Sequence, residues 1–165
     1  AKVMNDQIQI KEIIIREHYQ IIADFMKGLH ESEYSFFDKT AAWKDIEESY
    51  MRHIIEMQEE CEGTCLVVFE NEYPIGFIFG YVEEQDDSRI EAYEGDELYI
   101  SDGYVLPTYR KQGIYKRMNE QLEQKYIAQG IKRITRFTLV NNEPMKHFLA
   151  SSGYQPTRIL FEKWL

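Results

Sequence analysis

The sequence has few cysteines and no sign of a disulfide framework. Among 165 residues only Cys61 and Cys65 are cysteines, and no histidine cluster lies near them. A metal site needs three or four ligands, so we interpret both as neutral thiols and expect no bound metal. Such sparse, unpaired cysteine usage is typical of a reducing compartment, which predicts a cytoplasmic protein.

Basic residues and long apolar runs are also scarce. Lysine and arginine number 19 against 29 aspartates and glutamates, giving a formal net charge of -10. Because such a chain gains little from releasing the counterions of a nucleic acid, we expect no nucleic-acid partner, and a cationic or amine substrate fits better. No apolar run approaches the roughly 20 residues of a membrane span, and Ala1–Gln9 lacks the apolar centre of a signal peptide. We therefore expect neither membrane insertion nor secretion.

The apolar residues that are present suffice for one core. Hydrophobic residues make up 44% of the chain, which is too much for a disordered chain. Charged residues interrupt them throughout, as in a water-soluble domain. A length of 165 residues suits one domain, so we assign 1–165 to a single α/β or α+β domain.

Apolar residues repeat with the period of a strand in some segments and of a helix in others. The order predicts a mixed sheet with helices on its faces, including one right-handed parallel β-α-β unit between the fourth and fifth strands. The predicted elements begin with a strand at 8–15, a helix with its apolar face at 22–29 that ends near 32–35, and a helix with its apolar face at 46–57 that Gly63 ends. They continue with strands at 64–69, 75–82 and 97–106, a helix from 110 or 113 to about 129, a strand at 131–140, a helix at 143–152 and a strand at 158–164.

Two further segments have unusual composition. Gly76 and Gly80 leave one face of a predicted strand bare, so something must pack closely there. The stretch 83–97 contains eight acidic residues against Arg89 alone. It is either a solvated hairpin loop or a region that attracts a polycation.

The stretch Tyr104–Tyr115 reads Tyr-Val-Leu-Pro-Thr-Tyr-Arg-Lys-Gln-Gly-Ile-Tyr and joins a predicted strand to a helix. Unpaired backbone N–H groups and the helix dipole converge at such a junction and favour an anion. Arg110 and Lys111 add positive charge, and Gly113 lets the backbone approach a phosphate. The pattern therefore predicts a pyrophosphate site.

These residues resemble the GNAT superfamily of acyl-CoA-dependent N-acyltransferases. Its signature is Arg or Gln, two residues, Gly, one residue, then Gly or Ala, and Arg110, Gly113 and Tyr115 occupy those places. The lead-in Val105–Arg110 is similar to the family's too. Independently, Asn142–Tyr154 resembles the family's Asn-x-x-Ala helix that ends in Gly-Phe or Gly-Tyr.

The resemblance implies a GNAT-like, mostly antiparallel sheet of six to seven strands, in which the fourth and fifth strands diverge after a bulge. It also implies acetyl-CoA as cosubstrate, no metal, and direct transfer of the acetyl group to a primary amine on a small molecule or a protein. The pantetheine arm would bond to the backbone near Tyr104 and Val105. The residues that the resemblance places at the cofactor are Tyr104, Val105, Arg110, Lys111, Gln112, Gly113, Ile114, Tyr115 and Asn142.

Two departures from the family's pattern bear on the chemistry. Tyr115 replaces the usual small residue, and its phenol either packs on the helix face or narrows the phosphate site. Leu149 stands where many relatives have the tyrosine that protonates the leaving thiolate. Because of both, a non-catalytic acyl-CoA sensor is the alternative to an enzyme, and a donor with a larger acyl group, accommodated by the acceptor loop or the bare face at Gly76 and Gly80, is a third reading.

Candidate catalytic residues lie on the fourth predicted strand. Asp102 is the first choice for the base, although it would serve equally to hold a substrate's charge. Tyr99 and Tyr104 are candidates to supply the missing proton.

Other aromatic and imidazole side chains have less defined roles. In this family the loop between the first two helices, here 31–42, shapes the acceptor site, and its aromatics Tyr34, Phe36 and Phe37 either line a pocket or cap the core. The resemblance also suggests a homodimer, with the C-terminal strand ending in Trp164 as the contact. The four histidines, which we interpret as helix-surface or packing residues, are His18, His30, His53 and His147.

Overall fold

The computed structural model describes residues 7–93 and 95–165. The first six residues of the N-terminal stretch 1–9 and Glu94 of the acidic stretch lie outside this part. The described residues form strands β1–β5 and helices α1–α4, with 3-10 turns at Ile15–His18 and Pro107–Tyr109. Their bounds are β1 Ile8–Ile13, α1 Tyr19–Tyr34, α2 Trp43–Glu60, β2 Thr64–Glu70, β3 Tyr73–Glu83, β4 Glu97–Val105, α3 Ile114–Ile127, β5 Ile134–Thr135 and α4 Glu143–Ser151.

The strands form one mixed sheet in the order β1-β2-β3-β4-β5. The first four pair antiparallel, and β4 pairs parallel with β5. Side chains alternate across it, so Cys65 and Val67 of β2 join a core with α1 and α2, while Leu66 and Val68 join a second core with α3. The predicted mixed fold with helices on both faces is thus confirmed.

The number of strands is smaller than the six to seven predicted. The predicted strand 131–140 pairs only at Ile134 and Thr135, because β5 separates from β4 beyond that point. In the predicted strand 158–164, Ile159, Leu160 and Phe161 are each at least 80% exposed, and no ladder forms there within the described part of the chain.

The glycines of β3 have a close neighbour, as expected. A Cβ at Gly76 would lie 3.0 Å from the Tyr104 carbonyl oxygen, and one at Gly80 would lie 3.1 Å from the Tyr99 carbonyl oxygen. Strand β4 lies too close to both glycines for this face to hold a larger acyl group, which leaves the acceptor loop as the other place named for one. No helix among the described residues is both long and apolar enough to cross a membrane.

Candidate active site

A β-bulge at Ser101 organises the site. Phe79 pairs with Asp102 while Gly80 pairs with Ile100, so Ser101 is the extra residue in β4. An odd insertion reverses the alternation of side chains. It therefore brings Tyr99 onto the same side as Asp102 and Tyr104, the side covered by α1 and α2. All three residues predicted as catalytic share one face of the sheet.

Past the bulge, β4 and β5 part. Their parallel ladder contains only Leu98 with Ile134 and Tyr99 with Thr135. From residue 100 to 105, the edge of β4 on that side has no strand partner among the described residues. This is the divergence that the family resemblance implied, and it leaves a backbone edge open to an extended ligand.

The turn after β4 ends in a helix start without a side-chain cap. Gly113 precedes α3 with φ of 79°, and Lys111 also has a positive φ of 63°. The first N–H groups of α3 have no partner within the helix. A Cβ on Gly113 would meet nothing within 4 Å, so open space adjoins these donors. Together they form a cradle for an anion.

The cations of the turn are exposed beside this cradle. Arg110 Nε donates to the Val105 carbonyl oxygen at 2.9 Å, and its guanidinium carbon lies 5.1 Å from the centre of the Tyr104 ring. Both contacts are made by the guanidinium itself, so they hold the charge of Arg110 beside the end of β4, although the residue as a whole is exposed. Lys111 is exposed as well, whereas Gln112 is half-buried.

The neighbouring predicted residues have packing roles. Ile114 is buried in the core under α3. The Tyr115 ring lies 5.1 Å from that of Phe148 on α4, and its hydroxyl accepts a hydrogen bond from the Arg136 guanidinium. Room for this ring comes from Gly103, where a Cβ would lie 2.8 Å from it. The phenol of Tyr115 is thus directed into packing between β4 and α4.

Asn142 is the N-cap of α4. Its side-chain Oδ1 accepts a hydrogen bond from the backbone N–H of Met145 at 3.2 Å, the arrangement that stabilises a helix start. The structure thus gives Asn142 a capping role. Leu149 is half-buried on the same helix.

Asp102 is buried, with 6% of its surface exposed, and both its oxygens are engaged. Oδ1 accepts from the Tyr50 hydroxyl and Oδ2 from the Ser101 hydroxyl, each at 2.7 Å. Burial raises the pKa of Asp102, against the two hydrogen bonds and the charge of His53, which lower it. The pKa of Tyr50 is raised by burial and by the Asp102 charge, so its hydroxyl stays protonated.

The two candidate tyrosines differ in their surroundings. Burial and then the Asp102 charge raise the pKa of Tyr99, whose ring lies 5.8 Å from that of the exposed Phe137. Tyr104 packs on α1, since a Cβ at Gly28 would lie 2.8 Å from its hydroxyl oxygen. Tyr99 therefore adjoins the open side of β4, and the Tyr104 hydroxyl adjoins a helix backbone.

Sequence reasoning missed three residues around Asp102: Tyr50, Ser101 and Glu33. Burial, and next the Asp102 charge, raise the pKa of Glu33 to about 6. A signal was present for Tyr50, because a hydroxyl on an apolar helix face needs a buried partner. The role of Ser101 depends on the bulge, which has no such signal.

The acceptor loop lies beside this group. Tyr34 is 57% exposed, while Phe36 and Phe37 are half-buried. The Phe36 carbonyl oxygen accepts from Asn141 Nδ2 at 3.3 Å, so the loop touches the chain just before α4. The loop aromatics therefore border the open side of the sheet without being fully enclosed.

The remaining candidate groups are accounted for by packing and ion pairs. Cys65 is buried, which raises the pKa of its thiol, and the described residues contain no group of three metal-ligating side chains. His30 contacts Trp43 with ring centres 5.0 Å apart. Within the acidic stretch, Glu91 and Glu97 bind Arg133, at 3.5 and 3.1 Å.

A family model described as the acetyltransferase (GNAT) family matches residues 24–154. Among solved structures, the aminoglycoside N-acetyltransferase AAC(6')-Iy in complex with CoA is 13% identical with a TM-score of 0.69, and the alignment covers 99% of both chains. The same enzyme with the bisubstrate analogue CoA-S-monomethyl-acetylneamine is 12% identical, TM-score 0.67, covering 96% of this chain and 98% of that one. A GCN5-related N-acetyltransferase from Ralstonia eutropha JMP134 is 15% identical, TM-score 0.77, covering 95% and 98%. No curated protein sequence matches. At these identities the structures establish a shared fold.

Proposed function

The chain belongs to the acetyltransferase (GNAT) family, and from that premise we propose that it transfers an acetyl group from acetyl-CoA to a primary amine. One observation carries the proposal. The free edge of β4 beyond the Ser101 bulge leads directly to the uncapped start of α3 at Gly113. These features follow the order of the groups in acetyl-CoA: the thioester near the bulge, the extended pantetheine arm along the free edge, and the pyrophosphate at the start of α3.

The donor's recognition rests mainly on backbone groups. The N–H groups at the start of α3 bind the pyrophosphate, helped by the exposed charges of Arg110 and Lys111. The edge of β4 at Tyr104 and Val105 bonds to the amide arm in the manner of an added strand. The Val105 carbonyl oxygen already accepts from Arg110 Nε and has a second lone pair for the arm. Because the ring of Tyr115 packs against Phe148, it does not cover the first turn of α3, and the backbone N–H of Tyr115 is one of the donors there. These contacts fit CoA, which is the ligand in the structure of AAC(6')-Iy.

The chemistry needs three tasks from the protein. A carboxylate removes a proton from the amine, backbone N–H groups of β4 stabilise charge on the carbonyl oxygen, and a hydroxyl group returns a proton to the sulfur. Tyr99 is the better placed donor, because the hydroxyl of Tyr104 is directed at α1. Tyr99 on β4 then takes the role of the α4 tyrosine that many relatives have and that is Leu149 in this chain.

The acceptor is a primary amine of a small molecule or a protein. The carboxylates of Asp102 and Glu33 lie on the side of the sheet that α1 and α2 cover, where they favour a cation, and the chain's net charge of -10 attracts cations as well. The acceptor loop at 31–42 then selects the substrate through Phe36 and Phe37.

Leu149 favours a second candidate, an acyl-CoA-binding module that transfers nothing. A leucine on α4 has no proton to give the leaving thiolate. If Tyr99 does not supply that proton, the domain would bind the donor without finishing the reaction.

Two measurements with the same preparation separate the candidates. Melting temperature is recorded with and without acetyl-CoA, and free thiol is recorded with acetyl-CoA and a panel of primary amines. We expect stabilisation by acetyl-CoA and amine-dependent thiol release. Stabilisation without thiol release across the panel would establish the binding module instead. No stabilisation by any acyl-CoA would contradict both.

A further inference from the structure

Glu33 continues the apolar stripe of α1. Ile22, Met26, Leu29 and Glu33 follow at offsets of 4, 7 and 11 residues, which place them on one face of a helix. Ile22 and Met26 are fully buried in the core shared with β3 and β4. A carboxylate at the next position of that stripe is costly, because burial disfavours its charge.

The position of Glu33 is also fixed by the loop that follows it. Its carbonyl oxygen accepts from the backbone N–H groups of Phe36 and Phe37, at 2.9 and 3.0 Å. Its side chain therefore lies where α1 turns into the acceptor loop. Glu33 is therefore adjacent to the loop that selects the acceptor in the proposed function.

The group around Glu33 is negatively charged. The Asp102 charge acts on Glu33, and the Glu33 charge acts on Tyr50. Across residues 7–93 and 95–165, no side-chain hydrogen bond or ion pair to the Glu33 carboxylate forms, and no lysine or arginine pairs with Asp102. The titratable groups near this pair are His30 on α1, Tyr50 and His53 on α2, Cys65 on β2, Tyr81 on β3 and Tyr99 on β4.

The two carboxylates differ in what their oxygens can still accept. Asp102 is buried, and both of its oxygens already accept hydrogen bonds from Tyr50 and Ser101. Glu33 is half-buried, and its oxygens are unengaged. A base must come within hydrogen-bond reach of the proton it removes, and Glu33 meets that condition better.

Resting on the proposed function, we propose that Glu33 is the catalytic base that deprotonates the acceptor ammonium, and that Asp102 is the fixed negative charge that draws the ammonium in. The pKa of Glu33 near 6 leaves it ionised at neutral pH and close to the working range of a base.

The protons balance in this scheme. Glu33 takes one proton from R-NH3⁺, and the nitrogen lone pair of the resulting amine forms the C–N bond at the thioester carbonyl carbon. The C–S bond breaks and its electrons go to sulfur. The Tyr99 hydroxyl gives its proton to the sulfur, which leaves as CoA-SH. The second nitrogen proton is lost as the amide forms and passes to the Tyr99 oxygen, which restores the hydroxyl. Glu33 releases its proton to water before the next cycle.

The test compares Glu33→Gln with Glu31→Gln, an exposed neighbour on the same helix. We expect Glu33→Gln to lower kcat by about 100-fold or more at pH 7.5, the range of general-base contributions. Acetyl-CoA affinity should be unchanged, and Glu31→Gln should match the wild type. Glu33→Asp, which keeps a carboxylate, should recover part of the loss.

The pH profile of kcat/KM excludes a merely structural effect. Wild type should show an acidic limb with an inflection near pH 6, and Glu33→Gln should lack it and follow the ionisation of the free amine instead. A Glu33→Gln variant with wild-type kcat and the same limb would overturn the inference while leaving the proposed function intact. A wild-type protein that releases no thiol with any amine would overturn both.

Discussion

At the residue scale, the most informative group is Asp102 with its two hydroxyl donors. Sequence reasoning found Asp102 but left two roles open, a base or a holder of charge. Its burial and its contacts with Tyr50 and Ser101 favour the second, because both oxygens are already engaged and only 6% of the residue is exposed to an incoming amine. The stronger candidate for the base, Glu33, is on a helix far from β4 in sequence.

Replacing Asp102 by Asn tests the coupling between the two carboxylates. The Asp102 charge contributes to the raised pKa of Glu33, second to burial. In Asp102→Asn the acidic limb of kcat/KM should therefore move to lower pH, and the amine's KM should rise because the fixed charge is gone. Asp45→Asn, at an exposed position on α2, is the control. A limb that stays at the wild-type pH would show that the groups do not interact.

The same pKa predicts a change in stability. The ordinary pKa of Glu33 is 4.5, and the fold raises it to about 6. Unfolded chains therefore release this proton first as pH rises, and the free energy of unfolding falls between pH 4.5 and 6. Glu33→Gln should lack this decline and be more stable than wild type by about 1 kcal/mol at pH 7, after allowance for solvent screening. Urea unfolding at pH 4 and 7 measures it, and an equal difference at both would contradict the assignment.

At the element scale, the period of the apolar residues predicted the strands and helices that bury one face. The turn residues were a poorer guide to where those elements end. Sequence reasoning ended α2 with Gly63, yet the left-handed residue is Glu62, with φ of 52°. Gly63 is instead required because a Cβ there would lie 2.5 Å from Gln58 Cα. The divergence of β5 and the bulge at Ser101 depend on pairing between distant segments, which local patterns do not encode.

The turn before α3 can be tested with two substitutions at Gly113. Alanine at this position lowers the free energy of unfolding only through the strain of a left-handed φ, by about 1 to 2 kcal/mol, because its Cβ meets no other protein atom within 4 Å. We expect Gly113→Ala to weaken acetyl-CoA binding only in part, because one methyl group takes up some of the open space beside the α3 N–H groups. Gly113→Glu shares the strain but places an anion at the cradle, so binding should be abolished. Calorimetric titration with acetyl-CoA measures both, and equal affinities for the two folded variants would refute the placement of the pyrophosphate.

At the scale of the whole molecule, the sequence sufficed for the fold class and for the family, because the Tyr104–Tyr115 stretch combines a strand end, a glycine and two cations. It did not predict the C-terminal segment. Residues 158–164 were expected to close the sheet, but Ile159, Leu160 and Phe161 are exposed, as is Trp164 at 66%. The apolar pattern that suggested a strand therefore has no partner within the described part of one chain.

Exposed apolar side chains of this number favour self-association, and a second copy is the proposed partner. We expect a dimer in sedimentation velocity at micromolar concentrations. Phe161→Glu should shift the sedimenting species to a monomer. The nearby ion pair between Arg158 and Glu91 is unchanged in this variant, so the segment keeps its attachment to the domain. A wild-type protein that sediments as a monomer at all concentrations would contradict this expectation.

The most direct test of the account follows the acetyl group itself. Acetyl-CoA carrying a deuterated acetyl group is incubated with wild-type protein and a primary amine, and the amine's mass is recorded together with free thiol. The account predicts one labelled acetyl group on the amine nitrogen for each thiol released, with both signals greatly reduced in Glu33→Gln. Thiol release without labelled amine, or no thiol at all from a protein that binds acetyl-CoA, would contradict it.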